Sequence, residues 1–117
     1  MKISTMTEYI AAHIAWSVET FGDGMRTAGL CKHIEKELDE IRAAPNDVME
    51  WVDVIILALD GAWRAGYSAG QIAAALQEKQ RINIAREWFY RGDDEPIEHA
   101  RFCAPPPVPF EYPHRSE

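Results

Sequence analysis

The alternation of apolar and polar positions along the chain follows the helical period, so it predicts helices and no strand. The first helix begins near Thr5, which has capping-box spacing to Glu8, and ends at Gly22. The second runs from about Thr27 to Ala43, because Pro45 disfavours helical backbone at the residue before it.

Two further helices carry their own start and stop signals. The third opens at Asn46 or Asp47 and ends at Gly66, and the fourth runs from its cap at Ser68 to about Tyr90. Since the connections are short, neighbouring helices should run antiparallel. The pattern therefore predicts an all-α fold, an antiparallel four-helix bundle.

The composition changes from Asp93 onward. Residues 104–109 include four prolines, and the last residues are polar. We assign residues 1–102 to one helical domain and residues 103–117 to an irregular, Pro-rich tail. The length of 117 residues and the apolar share of 47% suit one domain with a real core.

Charge and cysteine content exclude several classes of protein. A net charge of −7 repels a nucleic-acid backbone, so we expect no DNA or RNA partner. The longest apolar run, Val54 to Leu59, is too short to span a bilayer. Cys31 and Cys103 match no metal or disulfide pattern, and the N-terminal residues do not resemble a signal peptide. We expect a cytoplasmic protein without a membrane partner.

The third helix combines apolar residues around almost its whole circumference with a narrow row of acids. A helix that is apolar all round is normally buried. Glu50, Asp53 and Asp60 lie within an arc of roughly 80°. This arc is either the solvent side of the helix or a buried slot, and the flanking apolar residues favour the slot. Carboxylates in such a slot must be paired or bound to metal.

The second helix supplies matching acids. Glu37 and Glu40 are three residues apart and share one face. Glu40 and Glu50 each lie five residues from Pro45, or about 7 Å along the helix axis, and Glu37 and Asp53 lie eight residues away, or about 12 Å. An antiparallel hairpin would therefore bring the four carboxylates together. Oxygen ligands without a Cys or His cluster favour Mg²⁺, with Mn²⁺ as a second possibility.

A basic and polar stripe follows on the fourth helix. Lys79, Asn83 and Arg86 continue the face that begins with Ile72 and Leu76. Residues on a core-facing stripe point inward, and cations beside a metal–carboxylate cluster suit a polyphosphate. Simple charge balance with the acids is the alternative, and the two interpretations are compatible.

The first helix offers a candidate base pocket. His13 and Trp16 lie on one stripe with Ser17 and Thr20, so Trp16 can stack on a base while His13 or Ser17 bonds its edge. A core position for Trp16 is the alternative. His33, one turn before Glu37, is either a support for a metal ligand or a core histidine.

The paired acidic motifs resemble a known signature. Glu37-x-x-Glu40 followed by Glu50-x-x-Asp53 is similar to the ExxE…ExxD signature of the all-α nucleoside triphosphate pyrophosphohydrolases, the MazG-like superfamily. The intervening nine residues are fewer than in many members, which implies a tight hairpin. The later Lys/Asn/Arg motif of the superfamily is matched by Lys79-x-x-x-Asn83-x-x-Arg86.

A narrower resemblance covers about residues 9–100. Residues 33–41 and 50–60 are similar to a phage and prophage group of dATP/dGTP pyrophosphohydrolases, and residues 20–22 and the pair Arg26-x-x-Gly29 also resemble that group.

The resemblance implies a reaction and roles for the residues. It implies cleavage between the α- and β-phosphates of dATP or dGTP, with Glu37 or Glu40 orienting the water or taking its proton. Lys79 and Arg86 would stabilise the departing pyrophosphate, and Asn83 would bond a phosphate or the sugar. The residues that would support the metal ligands are His33, Asp60 and Arg26.

Two other classes of function remain open at this point. A helical module that binds a nucleotide or cation without turnover would need the same acids. A structural dimerisation protein would not be stabilised by metal. Apolar residues such as Trp63 and Ile84 need cover, so we expect a homodimer or a higher homo-oligomer.

Overall fold

The computed structural model of the chain describes residues 5–89 and 92–97, and the Pro-rich segment 103–117 lies outside this range. The described residues form α1 (Met6–Phe21), α2 (Thr27–Ala43), α3 (Val48–Arg64) and α4 (Ala69–Ala85), with no β-strand among them. The all-α prediction is confirmed. No helix in this part of the chain is long and apolar enough to cross a membrane.

Side-chain caps begin three of the helices where the sequence predicted them. Thr5 Oγ1 accepts a hydrogen bond from the Glu8 amide at 3.1 Å, and Asp47 Oδ1 accepts one from the Met49 amide at 3.0 Å. Ser68 and Gln71 exchange two such bonds, of 3.2 Å and 2.8 Å, in a reciprocal capping box. These caps satisfy amides that have no partner within the helix.

The fourth helix is shorter than predicted. We expected it to continue to about Tyr90, but it ends at Ala85. The Asn83 carbonyl accepts hydrogen bonds from the Arg86 amide at 3.3 Å and from the Trp88 indole at 2.7 Å. These bonds satisfy a carbonyl of the last turn, so the helix need not continue.

The described chain divides into two compact units after Ala73. The first unit contains α1, α2, α3 and the first residues of α4, and its buried core is formed by Ile10, Leu59 and Ile72. Within it, α2 packs along α3 as a helical hairpin, and α1 also contacts α3. The second unit contains the rest of α4, where Arg81 and Glu78 form an ion pair.

One face of α3 is not covered in the single chain. The apolar pattern indicates that α3 needs cover around most of its circumference, and in the single chain α1 and α2 contact only part of it. Val48, Trp51 and Ile55 are 65%, 51% and 56% exposed. The Trp51 indole donates to the Pro45 carbonyl at 2.9 Å, which ties the start of α3 to the turn before it.

Candidate metal and nucleotide site

Four carboxylates meet across the hairpin of α2 and α3. Glu37 and Glu40 come from α2, Glu50 and Asp53 come from α3, and one oxygen of each lies within 4.8 Å of the others. The helical spacing puts each pair on one face, and the short turn around Pro45 sets the register of the two faces. The structure thus brings together the four acids that the sequence singled out.

The cluster raises the pKa of two of its members. The pKa of Glu37 is raised first by a hydrogen bond with Glu40, then by burial and by the neighbouring charges of Glu40 and Asp53. The pKa of Glu50 is raised first by burial and then by a hydrogen bond with Glu40. Burial and the neighbouring carboxylates together therefore disfavour the charged forms of Glu37 and Glu50.

Two oxygens of the cluster are without hydrogen-bond partners in the described part of the chain. Glu37 Oε2 and Glu50 Oε2 are buried, and neither accepts a hydrogen bond from a residue that the structure describes. A buried acceptor without a partner costs free energy. The oxygen-only donor set, the close spacing and the two unsatisfied oxygens together fit a hard divalent cation.

His33 lies beside the cluster and is not part of the core. Its Nε2 atom is 3.3 Å from Glu37 Oε1, and its side chain is 52% exposed. This position agrees with a support for Glu37 and not with a core histidine.

A cavity of about 440 Å³ adjoins the cluster. Glu37 and Asp53 contribute to its walls, together with His13, Trp16, Phe21 and Arg26. The Trp16 and Phe21 rings pack edge to face with centroids 5.4 Å apart, and the Arg26 guanidinium lies 5.5 Å from the Phe21 centroid. Trp16 is 54% exposed, so it is a cavity residue and not a core residue. The cavity size suits a small-molecule ligand.

Asp60 also lines the cavity, but its carboxylate oxygens already accept hydrogen bonds from other side chains. Its Oδ1 atom accepts from Ser17 Oγ at 2.5 Å and from the Trp63 indole at 2.8 Å, and it lies 3.1 Å from His13 Nε2. Its Oδ2 atom accepts from Arg64 Nε at 2.7 Å. The sequence suggested that Asp60 supports the metal ligands, whereas its bonds link α1 to α3.

The same network lowers the pKa of Asp60. Burial alone would raise this pKa, but hydrogen bonds from Ser17, Arg64 and Trp63 and the charge of Arg64 outweigh it and lower the pKa to about 2. Asp60 is therefore ionised at neutral pH. An ionised carboxylate only accepts hydrogen bonds, so the His13 ring donates from Nε2.

Sequence reasoning missed Arg64 and Phe21. The side chain of Arg64 is 1% exposed, and besides Asp60 it bonds the Gly22 and Gly24 carbonyls at 2.9 Å and 3.1 Å. The i, i+4 spacing from Asp60 to Arg64 was the available signal. Phe21 was noted only as part of residues 20–22, which resemble the phage group. Its local sequence pattern did not indicate that it lines a cavity.

The predicted polyphosphate residues belong to the second compact unit. Lys79 and Asn83 are one turn apart on α4, and Arg86 follows the end of that helix. Lys79 is exposed, whereas Asn83 and Arg86 are half-buried.

Comparisons with known proteins identify a family, a relative in sequence and a relative in structure. The family model for dATP/dGTP pyrophosphohydrolase matches residues 9–105. The Eaa protein of Salmonella phage P22 is 40% identical over 101 residues, which are 86% of this chain and 32% of that protein. The chain thus spans about a third of the length of that curated relative.

A solved structure has a similar fold. It is the MazG-like pyrophosphohydrolase of cyanophage S-2L, bound to dGDP and three catalytic Mn²⁺ ions per active site. It is 32% identical, with a TM-score of 0.68, over 89% of this chain and 100% of that one. Since the family model covers most of the chain, including both acidic motifs, this chain belongs to the dATP/dGTP pyrophosphohydrolase family.

Proposed function

We propose that this chain hydrolyses purine deoxynucleoside triphosphates to a monophosphate and pyrophosphate, with Mg²⁺ or Mn²⁺ as the metal. The observation that carries the proposal is the cluster of four carboxylates, two of them with unsatisfied buried oxygens, beside a cavity with aromatic walls. Membership of the family and the dGDP and Mn²⁺ of the cyanophage structure support it.

The chemistry follows from the acids. Glu37, Glu40, Glu50 and Asp53 would hold the ions, which when bound supply Lewis acidity toward phosphate oxygens and water. Glu37 or Glu40 orients the attacking water and takes its proton. Attack at the α-phosphorus forms the new P–O bond and breaks the bond to the oxygen that bridges the α- and β-phosphorus atoms, so pyrophosphate leaves.

We assign binding of the polyphosphate to three residues of the second unit. Lys79 and Arg86 stabilise the charge on the departing pyrophosphate, and Asn83 bonds a phosphate or the sugar. This assignment is carried by the Lys79-x-x-x-Asn83-x-x-Arg86 motif and its resemblance to the superfamily.

We assign binding of the nucleotide base to the cavity wall formed by α1. Trp16 presents a half-exposed ring, and Phe21 holds that ring edge to face. A broad indole stacks on either purine, which fits a preference for dATP and dGTP. His13 lies in the same wall with its Nε2 atom committed to Asp60, so Nδ1 is the ring nitrogen left to bond the base edge.

The test of the proposed function is a product analysis. The protein is incubated at substoichiometric concentration with each ribo- and deoxynucleoside triphosphate, with Mg²⁺ or Mn²⁺, and the products are separated by chromatography. We expect monophosphate and pyrophosphate, fastest from dATP and dGTP. A nucleoside diphosphate as first product would contradict the proposal. Binding without turnover would instead indicate a non-catalytic nucleotide module.

Replacing Trp16 by Ala should lower kcat/KM most for the purine substrates. Loss of one base–aromatic stack costs about 1–3 kcal/mol, so we expect kcat/KM for dATP and dGTP to fall by about 10-fold or more. The measurement compares dATP, dGTP, dCTP, dTTP and ATP. Val18→Ala is the control, because Val18 is 40% exposed on the same helix. If Trp16→Ala leaves all five values unchanged, the base binds elsewhere.

We also propose that the exposed face of α3, formed by Val48, Trp51 and Ile55, packs against a second copy of the chain. An apolar stripe along a well-formed helix is typical of a partner interface. Replacing Ile55 by Glu should shift the protein from dimer or higher oligomer to monomer, measured by light scattering after size exclusion. Val18→Glu is the control, since Val18 is 40% exposed on α1 and lies outside this face. A wild-type monomer, or an oligomer that survives Ile55→Glu, would contradict the interface.

A further inference from the structure

The buried pair of Asp60 and Arg64 joins the cavity wall of α1 to the last turns of α3. Arg64 Nε donates to Asp60 Oδ2, and its NH2 atom donates to Ser17 Oγ at 3.0 Å. Asp60 and Arg64 are 6% and 5% exposed. Both oxygens of Asp60 and the bonded nitrogens of Arg64 are already used within the protein, so neither group is the natural ligand of a substrate.

We propose that Asp60 and Arg64 are positioning residues for the nucleoside half of the substrate, acting through His13 and through the loop between α1 and α2. The proposal rests on the proposed function, because it takes the cavity wall of α1 as the nucleoside site. It assigns to the pair an effect on ligand binding in addition to its effect on folding.

The loop is held by its backbone carbonyls. Gly22 and Gly24 have φ angles of 79° and 94°, which L side chains rarely adopt. A side chain at either position would meet no atom within 4 Å, so it is the backbone conformation that calls for glycine here. In this conformation both carbonyls accept hydrogen bonds from Arg64 NH1.

The residues that flank these carbonyls line the cavity. Phe21 immediately precedes Gly22, and Arg26 follows Gly24 by two positions. On the other side of the pair, Asp60 fixes the orientation of the His13 ring, which also lines the cavity. A change at Arg64 or Asp60 should therefore move three cavity side chains together.

Only arginine can make this set of contacts. Its planar guanidinium donates in several fixed directions, toward Asp60, Ser17 and the two loop carbonyls. A lysine presents one nitrogen with three donors, so Arg64→Lys keeps the charge and loses at least one of the acceptors.

The pair is separate from the carboxylate cluster. Asp60 lies seven residues beyond Asp53 on α3, or roughly 10 Å along the axis. Loss of the pair should therefore weaken binding of the nucleoside half and spare binding of pyrophosphate at the metal ions.

The test measures two reaction products as separate ligands. Calorimetric titrations with Mn²⁺ give the Kd of dGMP, which carries the nucleoside, and the Kd of pyrophosphate, which does not. For Arg64→Lys and Asp60→Asn we expect dGMP binding weakened by about 10-fold, or 1.4 kcal/mol, and pyrophosphate binding within about twofold of wild type. Arg42→Lys is the matched control, because Arg42 pairs with Asp39 on the exposed side of α2.

A purely structural pair would give a different result. Folded variants with wild-type dGMP affinity, or with equal losses for dGMP and pyrophosphate, would overturn the proposal. If both variants fail to fold, Gly24→Ala tests the same loop by straining its backbone without replacing either residue of the buried pair, and the same selective loss of dGMP binding is expected.

The outcome is distinguishable from a failure of the proposed function. A wild-type protein that releases no pyrophosphate from any triphosphate refutes the proposed function, while the dGMP comparison still decides this inference. A wild-type protein that turns over substrate but fails to bind dGMP more tightly than the variants refutes this inference alone.

Discussion

Replacing Glu50 by Gln is expected to lower kcat by more than about 100-fold and to remove the stabilisation by Mn²⁺ or Mg²⁺. Even groups that merely support metal ligands contribute about 10- to 100-fold, so loss of a ligand should cost more. A ligand that binds only the folded state at 100 times its Kd stabilises that state by about 2.7 kcal/mol. This metal-dependent increase in melting temperature should disappear in the variant.

Without metal the same variant should be more stable than wild type. The pKa of Glu50 is raised in the folded chain, so the folded state disfavours the charged carboxylate. This destabilisation is absent below pH 4.5, the pKa of the carboxyl group in the unfolded chain. It is fully present once the pH exceeds the pKa in the folded chain. Gln keeps the shape and removes the charge, so the melting temperature at pH 7 in EDTA should rise.

Thermal melts with EDTA and with Mn²⁺, together with initial rates, measure both effects. Asp53→Asn should behave in the same way as Glu50→Gln. Glu35→Gln is the control, because Glu35 is exposed on α2 and lies outside the cluster. Near-normal turnover of Glu50→Gln at limiting metal would refute the assignment of this acid as a ligand.

Replacing Asp60 by Ala should destabilise the chain by about 3–5 kcal/mol, the usual cost of breaking a buried ion pair. The change leaves the Arg64 guanidinium buried without its carboxylate and removes the acceptor for His13, Ser17 and Trp63. Since whole domains are stable by about 5–15 kcal/mol, this is a large fraction of the total. Urea unfolding followed by circular dichroism measures it.

Two comparisons isolate the contribution of the pair. Asp39→Ala breaks an exposed ion pair with Arg42 and should cost less than about 1 kcal/mol. The double variant Asp60→Ala, Arg64→Met should lose less than the sum of the single changes, because no buried charge is left alone. Additive losses would mean that the two side chains act independently.

The acids also predict how stability without metal depends on pH. The pKa of Asp60 is lowered from 3.8 to about 2. Asp60 therefore contributes roughly 2 kcal/mol to the free energy of unfolding above pH 3.8, and this contribution is lost as the pH falls toward 2. Glu37 and Glu50 act in the opposite direction, because their pKa values are raised above 4.5. The melting temperature in EDTA should therefore rise as the pH falls from 7 toward 4.5 and decrease below pH 3.8.

The sequence by itself determined the number of helices, most of their limits and the carboxylate cluster, while the end of α4 at Ala85 came from the structure. Capping residues and the helical period are local, so the limits of α2 and the caps at Thr5, Asp47 and Ser68 could be predicted from neighbouring residues. The cluster was predictable because a short turn joins α2 to α3 and sets the heights of facing residues along a regular helix.

Only the tertiary structure decided the partners of Asp60 and Arg64. Arg64 bonds Ser17, Gly22 and Gly24, which lie 47, 42 and 40 residues away in the sequence. Such contacts depend on how α1 packs against α3, and no periodic pattern encodes that packing. Phe21 became a cavity residue for the same reason, because the cavity wall is formed by side chains from α1, α2 and α3 that lie far apart in the sequence.

The exposed face of α3 could also be identified only from the tertiary structure. An apolar circumference shows that a helix needs cover but not which molecule provides it. In the single chain α1 and α2 cover part of α3, and Trp51 and Ile55 stay half-exposed. The sequence therefore determined where the four carboxylates meet, since that depends on local spacing. The tertiary structure decided which side chains line the cavity and which apolar face remains open, since both depend on contacts between distant segments.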